Sequence, residues 1–176
     1  NGSKFVFLKR KDNYVYDGNT SGRRTAEEFF YAENPQYGNV TKAVQLGEVD
    51  FVSGADTIGN DKRTVESFYV HNSIAPKWLI GLPGQVVVRD QGNTIIRQTW
   101  FYYDQHTNAN DQPDKGLLTK RMDWAGGGAG DINLVTTYSY DIYGNLKTTV
   151  DPIGNQTVPA NHQTTIVYDT TYQLFP

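Results

Sequence analysis

Over much of the chain, β-branched and aromatic residues alternate with polar ones, in runs that end at Asp, Asn or Gly. An alternation of period two puts successive side chains on opposite faces of a strand, so each run reads as a strand with one drier face. Gln85 to Arg89 and Thr94 to Tyr103 are two such runs, and Asp90-Gln91-Gly92-Asn93 between them has the composition of a tight turn. Val135 to Tyr140 and Asn145 to Val150 repeat the arrangement around Asp141-Ile142-Tyr143-Gly144. Asp at the first turn position bonds the backbone ahead of it, and Gly at the last takes a positive φ, which suits a type I turn with a glycine bulge. Asp151-Pro152-Ile153-Gly154 has the same form, with Pro152 presetting φ and Gly154 closing the turn.

Further strands are predicted over Arg63 to Val70 and over Val40 to Phe51, the latter as two stretches broken by Gly47. Phe5 to Leu8 with Asn13 to Tyr16 reads as an opening hairpin, and Gly81-Leu82-Pro83-Gly84 as the turn that opens the meander. Thr25-Ala26-Glu27-Glu28 has the form of a helix capping box, but the aromatic trio Phe29-Phe30-Tyr31 and the following Tyr37-Gly38-Asn39 favour a strand. The expected class is all-β with little or no helix, in roughly ten to twelve antiparallel strands. Three stretches are expected along one continuous sheet: degenerate hairpins over 1–62, a meander with long polar loops over 63–135, and regular hairpins over 136–176.

The hairpin signals recur. Tyr-Asp pairs end strand-like runs at Tyr16-Asp17, Tyr103-Asp104, Tyr140-Asp141 and Tyr168-Asp169, the last three spaced by 37 and 28 residues. Tyr37-Gly38-Asn39 parallels Tyr143-Gly144-Asn145, and Ile58-Gly59-Asn60 parallels Ile153-Gly154-Asn155. Repetition at turn positions points to a serially built sheet with its length differences in the loops.

The run Tyr138-Ser139-Tyr140-Asp141-Ile142-Tyr143-Gly144-Asn145-Leu146, followed by Asp151-Pro152-Ile153-Gly154-Asn155, resembles the YD repeat of the rearrangement-hot-spot proteins, the shell-forming subunits of bacterial insecticidal toxin complexes and the related teneurins. The stretches Trp78 to Val88, Thr99 to Asp104 and Lys115 to Lys120 resemble the sequence that precedes the regular repeats in the toxin-complex type. The resemblance spans roughly residues 30 to 170. It implies an antiparallel strip that spirals into a hollow shell around a toxic C-terminal domain, and it implies no chemistry. The repeat and turn positions it singles out are Gly81, Pro83, Tyr103, Asp104, Tyr140, Asp141, Gly144, Asn145, Asp151, Pro152, Gly154 and Asn155. Such shells often end in an Asp-Pro-x-Gly self-cleavage motif, but Asn155 replaces the expected continuation, so Asp151 to Gly154 reads as a repeat turn.

Composition narrows the picture. Mean hydropathy is −0.58 and 38% of residues are hydrophobic, yet there are 12 Tyr, 8 Phe and 3 Trp, so the apolar supply is aromatic rather than aliphatic. A net charge of −3 without an extended basic block argues against a nucleic-acid surface. The absence of cysteine excludes disulfides and thiolate chemistry, and no apolar run has the length of a membrane span. Asn1-Gly2-Ser3 and the stop at Phe175-Pro176 read as the ends of an excised fragment of a secreted or surface bacterial protein whose export signal lies elsewhere.

The candidate chemistry is thin. Asp104, His106, Asn108, Asn110, Asp111 and Asp114 supply oxygen ligands without the order of a calcium loop, so a solvated insertion is expected. Gly126 to Gly130 lacks the Lys-Ser or Lys-Thr of a phosphate loop, and His71, His106 and His162 lack metal spacing. No cofactor, metal or catalytic site is expected. Among Trp78, Trp100 and Trp124, core packing is the first expectation, with Trp124 beside the glycine loop singled out as the aromatic to face a ligand. The leading expectation is a non-enzymatic module of a β-shell, its partners being the rest of the shell and the enclosed domain. The alternative is a module that binds a glycan or protein at the cell surface.

Overall fold

A computed structural model describes residues 6–18, 22–32, 37–57, 59–126, 132–156, 162–174 and 176. The described residues contain no helix. Ten strands form one antiparallel sheet and hydrogen-bond in chain order: β1 (Arg10–Val15), β2 (Arg23–Tyr31), β3 (Val40–Val49), β4 (Arg63–Asn72), β5 (Leu79–Arg89), β6 (Ile95–Tyr103), β7 (Leu118–Asp123), β8 (Leu134–Tyr140), β9 (Leu146–Val150) and β10 (Gln163–Thr165). Strand-to-next-strand pairing needs only hairpin connections, which is why Gly, Asn and Asp fall where they do. The chain divides into two compact units, Asn1–Phe68 with Val86–Arg97 and Tyr69–Gln85 with Gln98–Pro176.

In the first unit Ala26, Val44, Leu46 and Val49 form a buried cluster. β1 pairs with β2 from Arg10↔Glu28 to Val15↔Arg23, so the expected hairpin with Phe5 to Leu8 does not form; Val6 to Lys9 are not a strand, and Phe5 lies outside the described residues. The charge pattern explains the choice. Arg10 bonds Asp12 and Glu28, and Arg24 Nε donates to Asp12 at 2.9 Å, so the β1–β2 pairing brings opposite charges together. Arg10 Nη2 also donates to the carbonyl of Gly54 at 2.7 Å, and Arg24 Nη1 reaches those of Phe51 and Val52, which fastens the 50–55 turn to β1 and β2.

Two expectations about glycine are corrected here. Gly47 does not break β3; the pairing passes from Ala26↔Gly47 to Glu27↔Gln45, so Leu46 is the extra residue of a bulge and Gly47 beside it takes φ +70°. Gly81 to Gly84 are not a turn, because all four lie inside β5. Gly81 has φ +76° within the strand, Pro83 offers no N–H but accepts a tyrosine hydroxyl at its carbonyl, and Gly84 is buried where an added Cβ would come 2.7 Å from the carbonyl oxygen of Ala109. Gly and Pro punctuate this strand for tertiary reasons, which a local reading takes for a turn.

In the second unit the β6–β7 connection is a folded excursion whose polar residues, Asn108, Asn110 and Asp114 among them, stay exposed as expected of a solvated insertion. Ala109 and Pro113 are buried, and the buried Asn72 donates through Nδ2 to the carbonyl of Pro113 at 2.8 Å. Lys77 Nζ meets Asp114 at 2.7 Å. The excursion is held at its neck by Asp104, whose backbone N–H donates to Leu117 at 2.8 Å.

Candidate functional site

Three of the four Tyr-Asp pairs form one recurring device, whereas at Tyr16-Asp17 it is not seen among the described residues and Tyr16 is exposed. Tyr103 Oη donates to the carbonyl of Pro83 at 3.0 Å, Tyr140 Oη to that of Leu118 at 2.8 Å, and Tyr168 Oη to that of Leu146 at 3.1 Å. Each acceptor lies on the strand before the tyrosine's own hairpin position, 20 to 22 residues upstream. Tyr31 Oη also donates to a carbonyl, that of Leu8 at 3.0 Å, but Leu8 precedes β1 rather than lying on a strand, and no Asp follows the tyrosine. The tyrosine hydroxyl thus clamps the end of one strand onto its predecessor, a bond that the pairing ladder does not supply. Tyr103 is 6% exposed; burial and the nearby Tyr140 push its phenol up to about 12, so it stays a neutral donor.

The aspartate of each pair organises the chain that follows. Asp104 accepts four backbone N–H groups, from Asp114, Lys115 and Gly116 at Oδ2 (2.7, 2.9 and 3.0 Å) and from Leu117 at Oδ1 (3.0 Å). Burial pulls this carboxyl upward, but the donors at Gly116, Lys115, Leu117 and Asp114 outweigh it and hold the group below the ordinary carboxylate value. Asp141 Oδ1 accepts from Tyr143 and Asn145, and its Oδ2 from Asn145 Nδ2 at 3.1 Å. The second Asn145 donor reaches the carbonyl of Gln173 at 2.7 Å. Asp169 likewise receives Thr171, Tyr172 and Leu174.

Gly144 closes the Asp141 turn at φ +89°, with a register shift between Ser139 and Tyr140, as the turn chemistry predicts. Gly38 in the parallel Tyr-Gly-Asn copy has φ +78°. The second turn is different. Gly154 donates to Asp151 Oδ1 at 2.9 Å, but its φ is not positive; it is glycine because a Cβ would meet Val150 Cγ1 at 2.7 Å and His162 Cβ at 2.9 Å. Pro152 to Gln156 form a turn, Asp151 Oδ2 lies 3.0 Å from His162 Nδ1, and Asn155 Nδ2 reaches the carbonyls of Val135, Val150 and Asp151. Asn155 therefore ties the turn to β8.

Trp124 is half-buried and extends the β6–β7 ladder by donating its backbone N–H to Gln98 at 2.8 Å, whereas Trp78 is 66% exposed. Gly127 to Gly130 lie outside the described residues. The calcium idea for 104–114 loses its main ligand, since the Asp104 carboxylate is filled by backbone donors. Among the described residues, no group of three His, Asp or Glu side chains is arranged to hold a metal ion, and no helix is long and apolar enough to cross a membrane.

Two clefts of the second unit were not visible in the sequence. One, of about 290 Å³, lies among Asp104, Leu117, Tyr138, Tyr140 and Asp141. The other, of about 320 Å³, lies between Trp100 and Tyr102 on β6, Gln85 on β5 and residues 107–110 of the excursion. Alternation along β6 was legible and puts Trp100 and Tyr102 on one face, but nothing local says that the excursion folds back over them. Comparison with protein-family models and with curated proteins finds no match to this chain.

Proposed function

We propose that the chain is a non-enzymatic structural module, one stretch of a serially built β-wall from a large secreted or surface YD-repeat protein that encloses or presents a toxin-like domain. The observation that carries this reading is the recurrence of one device at Tyr103-Asp104, Tyr140-Asp141 and Tyr168-Asp169: a hydroxyl clamp to the preceding strand, then an aspartate that gathers the backbone of the next connection. A device that looks backward and forward along the sheet is suited to extension by like units. The side-chain supply agrees. Buried aliphatic residues are few, while Phe68, Trp78, Ile142 and Ile153 are exposed, a balance that suits a wall better than a closed core.

The test is to read the parent chain and image it by electron cryomicroscopy. Further Tyr-Asp units flanking this stretch, and a closed β-walled cavity with a C-terminal domain inside, are the expected result. A parent with no further units and no enclosed volume would overturn the proposal.

A further inference from the structure

We propose that the Asp17-Gly18 peptide, in the β1–β2 connection, is a site of spontaneous backbone modification at which Asp17 isomerises to isoaspartate through a cyclic imide. Two independent observations meet there. Asp17-Gly18 is the one Asp-Gly pair in the chain. Asp17 is also the one described aspartate whose carboxylate takes no hydrogen bond or ion pair from another described residue, and both members of the pair are exposed. Other turn aspartates are held: Asp50 by Ser53, Asp90 by the N–H of Thr94, Asp141 by Tyr143 and Asn145, and Asp104 by four backbone donors.

The reaction needs no partner but water. The backbone nitrogen of Gly18 attacks Asp17 Cγ; the N–Cγ bond forms, the Cγ–O bond breaks, and the carboxylic OH leaves as water with the amide proton. Water then adds to the imide. Opening at Cγ restores aspartate, whereas opening at the main-chain carbonyl breaks its bond to the Gly18 nitrogen and leaves the chain running through Cβ and Cγ. The water lost is regained, so the net change is an isomerisation without oxidant or reductant. Glycine favours the attack because no side chain crowds its nitrogen, and beyond its chain neighbours no heavy atom lies within 4 Å of where a Gly18 Cβ would stand. Asp17 has φ +44°, in the left-handed region that an L-residue resists, so the turn does not favour its α-linked form.

At the other Tyr-Asp pairs the same reactants are occupied. The Asp104 carboxylate is filled by its four donors, and the N–H of Gln105, which would have to attack it, donates to Thr119 Oγ1 at 2.9 Å. Asp151 is followed by Pro152, whose nitrogen has no proton to lose. At Tyr16-Asp17 both groups are open, since the N–H of Gly18 has no partner among the described residues either. An isoaspartate adds a carbon to the backbone of the connection. The ladder is therefore expected to loosen first at Val15↔Arg23, beside the turn, while Arg10↔Glu28 at the far end keeps its ion pair. The site is independent of the wall reading, which rests on the pairs at Tyr103, Tyr140 and Tyr168.

The experiment is to hold the 176-residue protein at neutral pH and physiological temperature for several weeks, digest it with trypsin, and locate isoaspartate by electron-transfer fragmentation of the 12–23 peptide. Isoaspartate is expected at position 17 at a level roughly tenfold above that at Asp104 or Asp141. Asp17→Glu closes a larger ring less readily and is expected to abolish the product. Asp17→Asn loses ammonia instead of water and is expected to form it roughly tenfold faster. Neither change removes a contact to another described residue, so both variants are expected to fold as the parent does. In guanidinium chloride, where the fold protects no aspartate, Asp17 is expected to react at close to its folded rate. No isoaspartate at 17 in the folded protein, isoaspartate there only after unfolding, or an equal level at Asp104 or Asp141 in the folded protein would overturn the proposal.

Discussion

The hydroxyl of Tyr140, at the end of β8, donates to the carbonyl of Leu118, the first residue of β7, at 2.8 Å. Leu118 is also the residue opposite Tyr103, where the β6–β7 register shifts, so the clamp falls where the ladder is irregular. A single side chain thus secures a hairpin at the point where backbone pairing alone secures it least.

Loss of that bond is a direct measure of the device. Tyr140→Phe keeps the ring and removes the donor, and is expected to cost about 1 kcal/mol in urea unfolding, the usual net value of one such bond. Tyr103→Phe is expected to cost more because its hydroxyl is more deeply buried. The phenol of Tyr103, held near 12 against an ordinary 10.0, adds a pH signature. Its contribution is complete below pH 10 and is lost as the pH rises toward 12, so alkaline unfolding should be gentler in Tyr103→Phe than in the parent. Equal alkaline midpoints would contradict this.

Asp104 makes the opposite prediction at the acid end. Its carboxyl is held below the ordinary value, so its contribution is complete above about pH 4 and declines as the pH falls through the folded-state value. Asp104→Asn presents an amide to four N–H donors and is expected to destabilise the second unit by about 1 to 3 kcal/mol at neutral pH. The same variant should lose less stability than the parent on acidification. Hydrogen exchange at Lys115, Gly116 and Leu117, measured at pH 7 and well below pH 4, reads both effects at the affected N–H groups.

The two turn glycines should respond differently to the same change. Gly144 has φ +89° and nothing within 4 Å of an added Cβ, so Gly144→Ala pays only for conformation, about 1 to 2 kcal/mol. Gly154→Ala meets Val150 and His162 instead. Val150→Ala in the same molecule should recover part of the Gly154→Ala loss and none of the Gly144→Ala loss. A double-mutant cycle in thermal melts checks this; zero coupling between positions 150 and 154 would mean that Gly154 is not a packing glycine.

Alternation and turn residues determined the strand class, the hairpin at Asp141 to Gly144, the Asp90 to Asn93 turn and the choice of strand for Phe29 to Tyr31, because both signals act over four to ten residues and need no partner from afar. The Tyr-Asp repeat marked the right residues but not the work they do: the partners of Tyr103, Tyr140 and Tyr168 lie 20 to 22 residues away, and only the register of the folded sheet selects those carbonyls. Tertiary structure alone decided that Gly81 to Gly84 continue a strand, that Gly154 is small for packing rather than for φ, and that the polar run after Asp104 folds back over Trp100. In each case a residue type with two physical uses, glycine as hinge or as gap and a polar insertion as open or as folded back, was assigned its use by what the fold brought against it.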